Sequence, residues 1–229
     1  MTRWGMVIDL DRCVGCNACT LACKIENGTP PDHYWARVYT EETGTFPNVT
    51  TTYVPALCNH CADAPCVTVC PTGASHQRDD GIVLVDQDTC IGCRACMMAC
   101  PYSNRFYLRK GVLETGYHGE RTPFEDAKWA AFTEGTVTKC TFCAHRVDGG
   151  LEPACVITCP TDARIFGDLD DPDSRPSRLI RDHDGQQPLP EMGTNPSVYY
   201  VESRGARTNG VPAGARADDA RVLDTLEAT

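Results

Sequence analysis

Polar and apolar positions change over too quickly along this chain for long elements. Two short apolar stretches, Met6–Ile8 and Ile82–Val85, each run into acidic residues and then into cysteine-rich sequence, and both read as brief strands. A third stretch, Val198–Val201, predicts a late strand. Asp168–Pro176 is acidic and broken by proline, so it reads as a loop. Residues 203–229 read as a polar tail with a marginal helix at Arg221–Leu226, equally a frayed terminus or a docking arm. Nowhere do 18 apolar residues follow one another, and no membrane-crossing helix is predicted. The opening residues Met1-Thr2-Arg3-Trp4-Gly5 pass straight into the first strand, without the apolar core or cleavage site of a secretion signal. The chain is therefore expected to need a partner for export or anchoring.

Cysteine changes this picture. The 229 residues include 16 cysteines, and they fall into four blocks of four. Block I is Cys13-x2-Cys16-x2-Cys19-x3-Cys23, and block II is Cys58-x2-Cys61-x4-Cys66-x3-Cys70. Block III is Cys90-x2-Cys93-x2-Cys96-x3-Cys100, and block IV is Cys140-x2-Cys143-x11-Cys155-x3-Cys159. Pro71, Pro101 and Pro160 follow the last cysteine of blocks II, III and IV, whereas Lys24 stands there in block I. The run C-x2-C-x2-C-x3-C-P is the bacterial ferredoxin spacing for [4Fe–4S] clusters. Three closely spaced thiolates on one tight loop cap three corners of a cubane, and the fourth, on a short helix, points at a different cluster. Gly15 and Gly92 lie inside the loops, where the backbone must turn sharply beside the sulfides. A disulfide scaffold is a poorer match, because such chains are usually short and their spacings need not repeat. Structural zinc is poorer too, since it pairs two distant C-x2-C knuckles rather than three cysteines within seven residues.

The blocks are themselves repeated. Val7–Cys16 matches Leu84–Cys93 at an offset of 77 with both acids kept, and Pro65–Ala74 matches Ala154–Ala163 at an offset of 89. The order A-B-A′-B′ is that of a duplicated two-cluster unit. Composition agrees. Hydrophobic residues are 41% and aromatic residues 7% of the chain, a core too modest to hold so many loops without cross-links. The formal charge of −10 excludes nucleic acid, whose phosphates demand lysine and arginine. The fold class that follows is α+β: duplicated ferredoxin-like modules, of the bacterial two-cluster type, with loop-rich insertions.

With all four blocks together, the chain resembles the four-cluster iron–sulfur electron-transfer (beta) subunits of the dimethyl sulfoxide reductase family of molybdopterin oxidoreductases. Within that family it is similar to the membrane-span-free subunits of arsenate, polysulfide, thiosulfate and tetrathionate reductases, and to the small subunits of transhydroxylases. Cys140-Thr141-Phe142-Cys143 and Ala163-Arg164-Ile165-Phe166-Gly167-Asp168-Leu169 support the likeness beside the sixteen cysteines. The resemblance implies a pairing of blocks that spacing leaves open, since joining I with II and III with IV fits the duplication equally well. Cys13, Cys16 and Cys19 would hold one cluster with Cys159, and Cys140, Cys143 and Cys155 another with Cys23. Cys58, Cys61 and Cys66 would join Cys100, and Cys90, Cys93 and Cys96 would join Cys70. An outer module then comprises residues 1–50 and 106–180, an inner one 51–105, and an extended C-terminal tail 181–229. No ligand position departs from cysteine, so four [4Fe–4S] clusters are expected.

The family likeness implies a wire without substrate chemistry of its own, and no nucleophile set, P-loop or G-x-G-x-x-G argues otherwise. Its implied partners are a large catalytic subunit with a molybdenum or tungsten bis-pterin guanine dinucleotide and a quinone-reactive membrane subunit or cytochrome. It implies an extracytoplasmic site, reached by co-export with a twin-arginine partner; a cytoplasmic complex is the alternative. The competing function is a general multi-cluster ferredoxin-type carrier for a hydrogenase, formate or nitrite reductase system. Among the other residues, His60 and His145 are expected to pack on or hydrogen-bond to cluster sulfur. Lys24, Arg94, Lys139 and Arg146 would either raise local potentials or form solvated surface. Tyr34, Trp35, Tyr102, Phe106 and Trp129 are expected in a cluster-shielding core. Asp9, Asp11, Asp86 and Asp88 are expected as turn-forming acids.

Overall fold

The computed structural model describes residues 2–202. In chain order its elements are β1 (Trp4–Asp9), α1 (Ala18–Asn27), β2 (Arg37–Thr45), β3 (Asn48–Ala56), α2 (Pro65–Thr68), β4 (Ser75–Gln77), β5 (Val83–Val85), α3 (Ala95–Met98), β6 (Phe106–Tyr107), α4 (Pro123–Trp129), β7 (Val137–Thr138), α5 (Ala144–Val147), α6 (Ala154–Ile157), β8 (Arg164–Asp168), α7 (Arg175–Asp182) and β9 (Val198–Val201). A single 3-10 turn, Pro190–Met192, stands before β9.

The sheets decide which parts of the sequence meet. β1 is the centre of a three-stranded sheet in the order β8-β1-β9. It runs antiparallel to β8, with Trp4 opposite Asp168 and Ile8 opposite Arg164, and parallel to β9, with Met6 beside Val198. Both faces of this sheet are covered. Met6 and Ile8 face the larger core, and Val7 packs with Ile165, Val201 and the α7 side chains Leu179 and Ile180. The run is therefore apolar throughout, with no outward polar position. β4 and β5 make a second, antiparallel pair, with Ser75 opposite Val85. β1 enters block I and β8 leaves block IV, whereas β4 leaves block II and β5 enters block III. Helices repeat the pattern: α1 packs on α6, and α2 on α3. The larger core joins Met6, Ile8, Trp35, Val54, Phe142, Phe166 and Tyr200; a smaller one gathers Ala64, Val83, Tyr102 and Val137. Among the described residues no helix is long and apolar enough to cross a membrane.

Three expectations need correction. The boundary at residues 50 and 51 cuts a hairpin, because β2 and β3 pair without a break from Arg37 opposite Ala56 to Thr45 opposite Asn48. The segment from 181 is not an extended tail over its described part. Val198 is fully buried beside β1, the Met6 N–H donates to the Ser197 carbonyl at 2.9 Å, and the Ser197 N–H donates to the Asn59 carbonyl at 2.8 Å. The cause is the apolar Val198-Tyr199-Tyr200-Val201, which covers the otherwise open edge of β1. The tail's expected helix and docking arm lie outside the described residues. Finally, the loop at 168–176 ends early. Ser174 caps α7, its Oγ accepting from the Ser177 N–H, and Pro176 sits in the first turn, where its missing donor costs nothing.

Candidate metal centres

The cysteine loops are shaped by backbone conformations that recur at the offset of 77. Gly15 and Gly92 both stand at φ +68, followed two residues later by Asn17 at +57 and Arg94 at +63. A β-carbon on Gly15 would strike the Tyr53 ring, and one on Gly92 the Gly135 carbonyl. Asp9 and Asp86 fold the approaches as expected: their Oδ1 atoms accept the N–H groups of Asp11 at 3.1 Å and Asp88 at 2.9 Å.

The short helices were expected to carry the fourth cysteine of each block. In blocks II, III and IV they carry the third instead: Cys66 lies in α2, Cys96 in α3 and Cys155 in α6, while Cys70, Cys100 and Cys159 lie just beyond. Proline after the fourth cysteine is the reason, since it drives the residue before it out of helical conformation. Block I has Lys24 there, so α1 runs on through both Cys19 and Cys23 to Gly28, whose φ of +61 closes it.

No disulfide joins any of the sixteen cysteines. One cavity is lined by Cys58, Cys61, Cys66 and Cys100 together with His60, Tyr102 and Arg105. A second is lined by Cys70, Cys90, Cys93 and Cys96. In the other half of the molecule, Asn27 Nδ2 donates to Cys23 Sγ at 3.5 Å and to Cys143 Sγ at 3.7 Å. Burial pushes the Cys23 thiol up, and so do its neighbours Cys155 and Cys143. Burial likewise raises Cys13, with Cys19 and Cys159 adding to it. Burial pushes Cys61 up to about 12 and Cys155 to about 11. Cys70 and Cys159 differ. Partial burial raises them, but the backbone N–H groups of Ser75 and Ala163, each 3.3 Å from the sulfur, bring the thiols below their ordinary value.

Three cations are buried among these sulfurs. Arg105 donates from Nη2 to Cys66 Sγ at 2.8 Å and from Nη1 to Ser75 Oγ at 2.6 Å. Lys139 Nζ donates to the carbonyls of Val83 and Cys140. Arg164 is 1% exposed, and its Nε and Nη2 have no hydrogen-bond partner in the protein. Sequence reasoning missed both arginines. The one available signal was position: each stands five residues after the fourth cysteine of its block.

Other expected residues divide. His60 is fully buried, stacks on Phe142 at 3.7 Å between ring centres, accepts the Val83 N–H on Nδ1, and leaves Nε2 unpartnered. His145 lies at the surface instead, bonded to Glu26 Oε1 at 2.8 Å, because α5 turns it away from the sulfurs; Arg146 meets the same carboxylate. Lys24 is neither free nor a sulfur donor, for its ammonium is enclosed by the Pro30 and His33 carbonyls and the Tyr117 hydroxyl. Arg94 lies over the Tyr107 ring at 3.7 Å. Trp35, Tyr102 and Trp129 are buried and Phe106 half-buried, but Tyr34 is exposed beneath the Lys24 ammonium. All-sulfur donor sets, apolar walls and the orphaned donors His60 Nε2, Arg164 Nε and Arg164 Nη2 suit anionic iron–sulfur clusters. Among the described residues, no group of three or more His, Cys, Asp or Glu side chains is arranged to hold a single metal ion.

Two family profiles described as 4Fe-4S dicluster domains match the chain, one at residues 49–116 and again at 114–169, the other at 12–74. The arsenate respiratory reductase iron–sulfur subunit of a Shewanella species is 45% identical over 90% of this chain and 99% of its own length. This chain is a member of that family of iron–sulfur subunits. Further members include the B component of sulfite dehydrogenase from Allochromatium vinosum, 42% identical over 90% of this chain and 86% of that protein. The B component of anaerobic dimethyl sulfoxide reductase from Escherichia coli is 35% identical over 96% of this chain and 99% of its own. The resemblance read from the cysteine blocks is thereby established. The protein is a non-catalytic electron-transfer subunit, made of 4Fe-4S dicluster ferredoxin-like domains of mixed helix and strand, and its cofactors are four [4Fe–4S] clusters.

Proposed function

We propose that the chain is a one-electron wire made of two ferredoxin-like modules related by duplication, with ligands crossing between blocks. Cys13, Cys16, Cys19 and Cys159 hold cluster 1; Cys58, Cys61, Cys66 and Cys100 hold cluster 2. Cys90, Cys93, Cys96 and Cys70 hold cluster 3; Cys140, Cys143, Cys155 and Cys23 hold cluster 4. The outer module is built around blocks I and IV and the inner one around blocks II and III, with the β2–β3 hairpin kept whole between them. The observation carrying this reading is strand pairing: β1 with β8 draws block I to block IV, and β4 with β5 draws block II to block III. The two cysteine-lined cavities support it for the inner module. When bound, the clusters supply sites that gain and lose single electrons.

Cys140 of cluster 4 is close enough to Cys58 of cluster 2 for their charges to interact. The clusters therefore fall in the order 1–4–2–3, a row with its middle buried and its ends near solvent. Cys16 and Cys93 are exposed, whereas Cys23, Cys58, Cys61, Cys66, Cys140, Cys143 and Cys155 are buried. Beside the two exposed cysteines stand exposed apolar pairs, Val14 with Leu21 and Ile91 with Met98, again at the offset of 77. These favour two docking ends. One end meets a molybdopterin catalytic subunit of the arsenate and sulfur-oxyanion type, in keeping with the relatives' names. The other meets a quinone-linked membrane partner. The complex sits at the outer face of the membrane, exported with its catalytic subunit.

The test is Cys100→Ala in the purified complex. Electron paramagnetic resonance should lose or alter the signal of the cluster otherwise held by block II. Loss of a block I/IV signal instead would sink the pairing. Elemental analysis of the native complex should find about sixteen irons for this chain and stoichiometric molybdenum or tungsten. Sixteen irons with neither metal would favour the general carrier.

A further inference from the structure

The three buried cations occupy three different places in the row. Arg105 bonds Cys66 on α2 and abuts Cys96 on α3, so it lies between clusters 2 and 3. Arg164, fully buried, is close enough to Cys155 on α6 and Cys19 on α1 for their charges to act on it, so it stands between cysteines assigned to clusters 4 and 1. Lys139 adjoins Cys140 of cluster 4, and its Nζ binds the Val83 carbonyl while the Val83 N–H binds His60 in the wall of the cluster 2 cavity. Cys58 and Cys140, one from each of these clusters, are near enough for their charges to act on each other. Among the described residues no carboxylate forms an ion pair with any of the three, and each stem is buried. A buried, unpaired cation is costly unless anions neutralise it. Here the available anions are the thiolates and clusters on either side.

We propose that Arg105, Lys139 and Arg164 are junction cations, each shared by two neighbouring clusters and each making both easier to reduce in parallel. The inference rests on the pairing of blocks given above. Its physical content lies in the sharing. A cation beside one cluster deepens that site alone and makes it a trap for the electron. A cation between two clusters stabilises the added electron on either, because both lie at short range in a poorly screened interior. As one cluster loses the electron and its neighbour gains it, the cation's favourable interaction is kept. The hop stays close to level, no proton need accompany it, and arginine does not titrate.

Redox titration of the purified complex, followed by electron paramagnetic resonance, tests this. Arg105→Gln should lower the equilibrium constant for reduction of clusters 2 and 3 together by about tenfold or more, equal to about 59 mV each, leaving clusters 1 and 4 unmoved. Arg105→Lys, which keeps the charge, should return both to the wild-type values. Arg164→Gln should shift clusters 1 and 4 instead, and Arg164→Lys should return them to the wild-type values. Unchanged potentials at full iron content, a shift of one cluster alone, or a lysine variant as displaced as the glutamine one would each overturn the proposal. Where a glutamine variant loses iron, the lysine variants decide: wild-type potentials support the shared charge, and a tenfold displacement refutes it. Failure of the block pairing is separate, since Cys100→Ala reports which signal disappears whatever the potentials do.

Discussion

The carbonyl of Gly135 fills the space that a β-carbon at position 92 would need, and the backbone there is already at φ +68. Gly92→Ala therefore meets a steric clash with main chain and a conformation that side chains disfavour. The expected outcome is a protein with about twelve irons in place of sixteen, cluster 3 being the one lost; a full complement on elemental analysis would refute this. At His60 the ring nitrogen Nδ1 accepts the Val83 N–H, so the proton of the neutral ring is on Nε2. Burial, first, and the nearby Lys139 and Arg105 charges hold the imidazole well below its ordinary pKa, and it stays neutral. His60→Leu should cost about 1–3 kcal/mol by orphaning the buried Val83 N–H, read as a lower unfolding midpoint. Cysteines, loop glycines and the Asp9 and Asp86 turns were legible in the sequence because each acts on its own neighbours. Arg105 and Arg164 were not. Their partners are sulfurs 39 and 9 residues away, met only after the strands pair.

Helices in this protein are short wherever proline follows the last cysteine, and the exception needs support. α1 is closed by Gly28, and α4 braces that end: Trp129 Nε1 donates to the Gly28 carbonyl at 2.9 Å and Lys128 Nζ to the Glu26 carbonyl at 2.6 Å. α4 is set in turn by Thr122, which shares a capping box with Glu125 behind Pro123. Thr122→Ala should cost about 1 kcal/mol with iron content unchanged. Trp129→Ala should cost about 3–5 kcal/mol and loosen cluster 4 through Cys23, seen as that signal broadening first on warming. The sequence announced β1, β5 and β9 because their apolar residues are buried. It did not announce the β2–β3 hairpin, whose tip from Thr43 to Thr51 is exposed and carries no alternation of polar and apolar residues. The helix in the insertion before block IV was hidden for a similar reason: most of α4 faces solvent.

Across the molecule, Val14 with Leu21 and Ile91 with Met98 are exposed apolar pairs at equivalent positions, and in the proposed row they would meet different partners. Met98 is 88% exposed and Leu21 61%, and charge placed at either should affect one partner only. Leu21→Glu is expected to slow electron exchange with one partner about tenfold or more, as loss of a central interface contact does, and Met98→Glu with the other. Both variants should keep their irons and potentials. Stopped-flow oxidation by each isolated partner would check this, and equal slowing with both would argue against separate ends. The sheet around β1 has a further consequence, in time rather than in space. β4 and β5 are neighbours in the chain, so the inner pair of cysteine loops can close as soon as residue 100 has left the ribosome. β1 must wait for β8 at 164–168 and for β9 at 198–201. Under the proposed pairing, the first four cysteines to be synthesised would be among the last to find their partners, and until then they would remain free thiols.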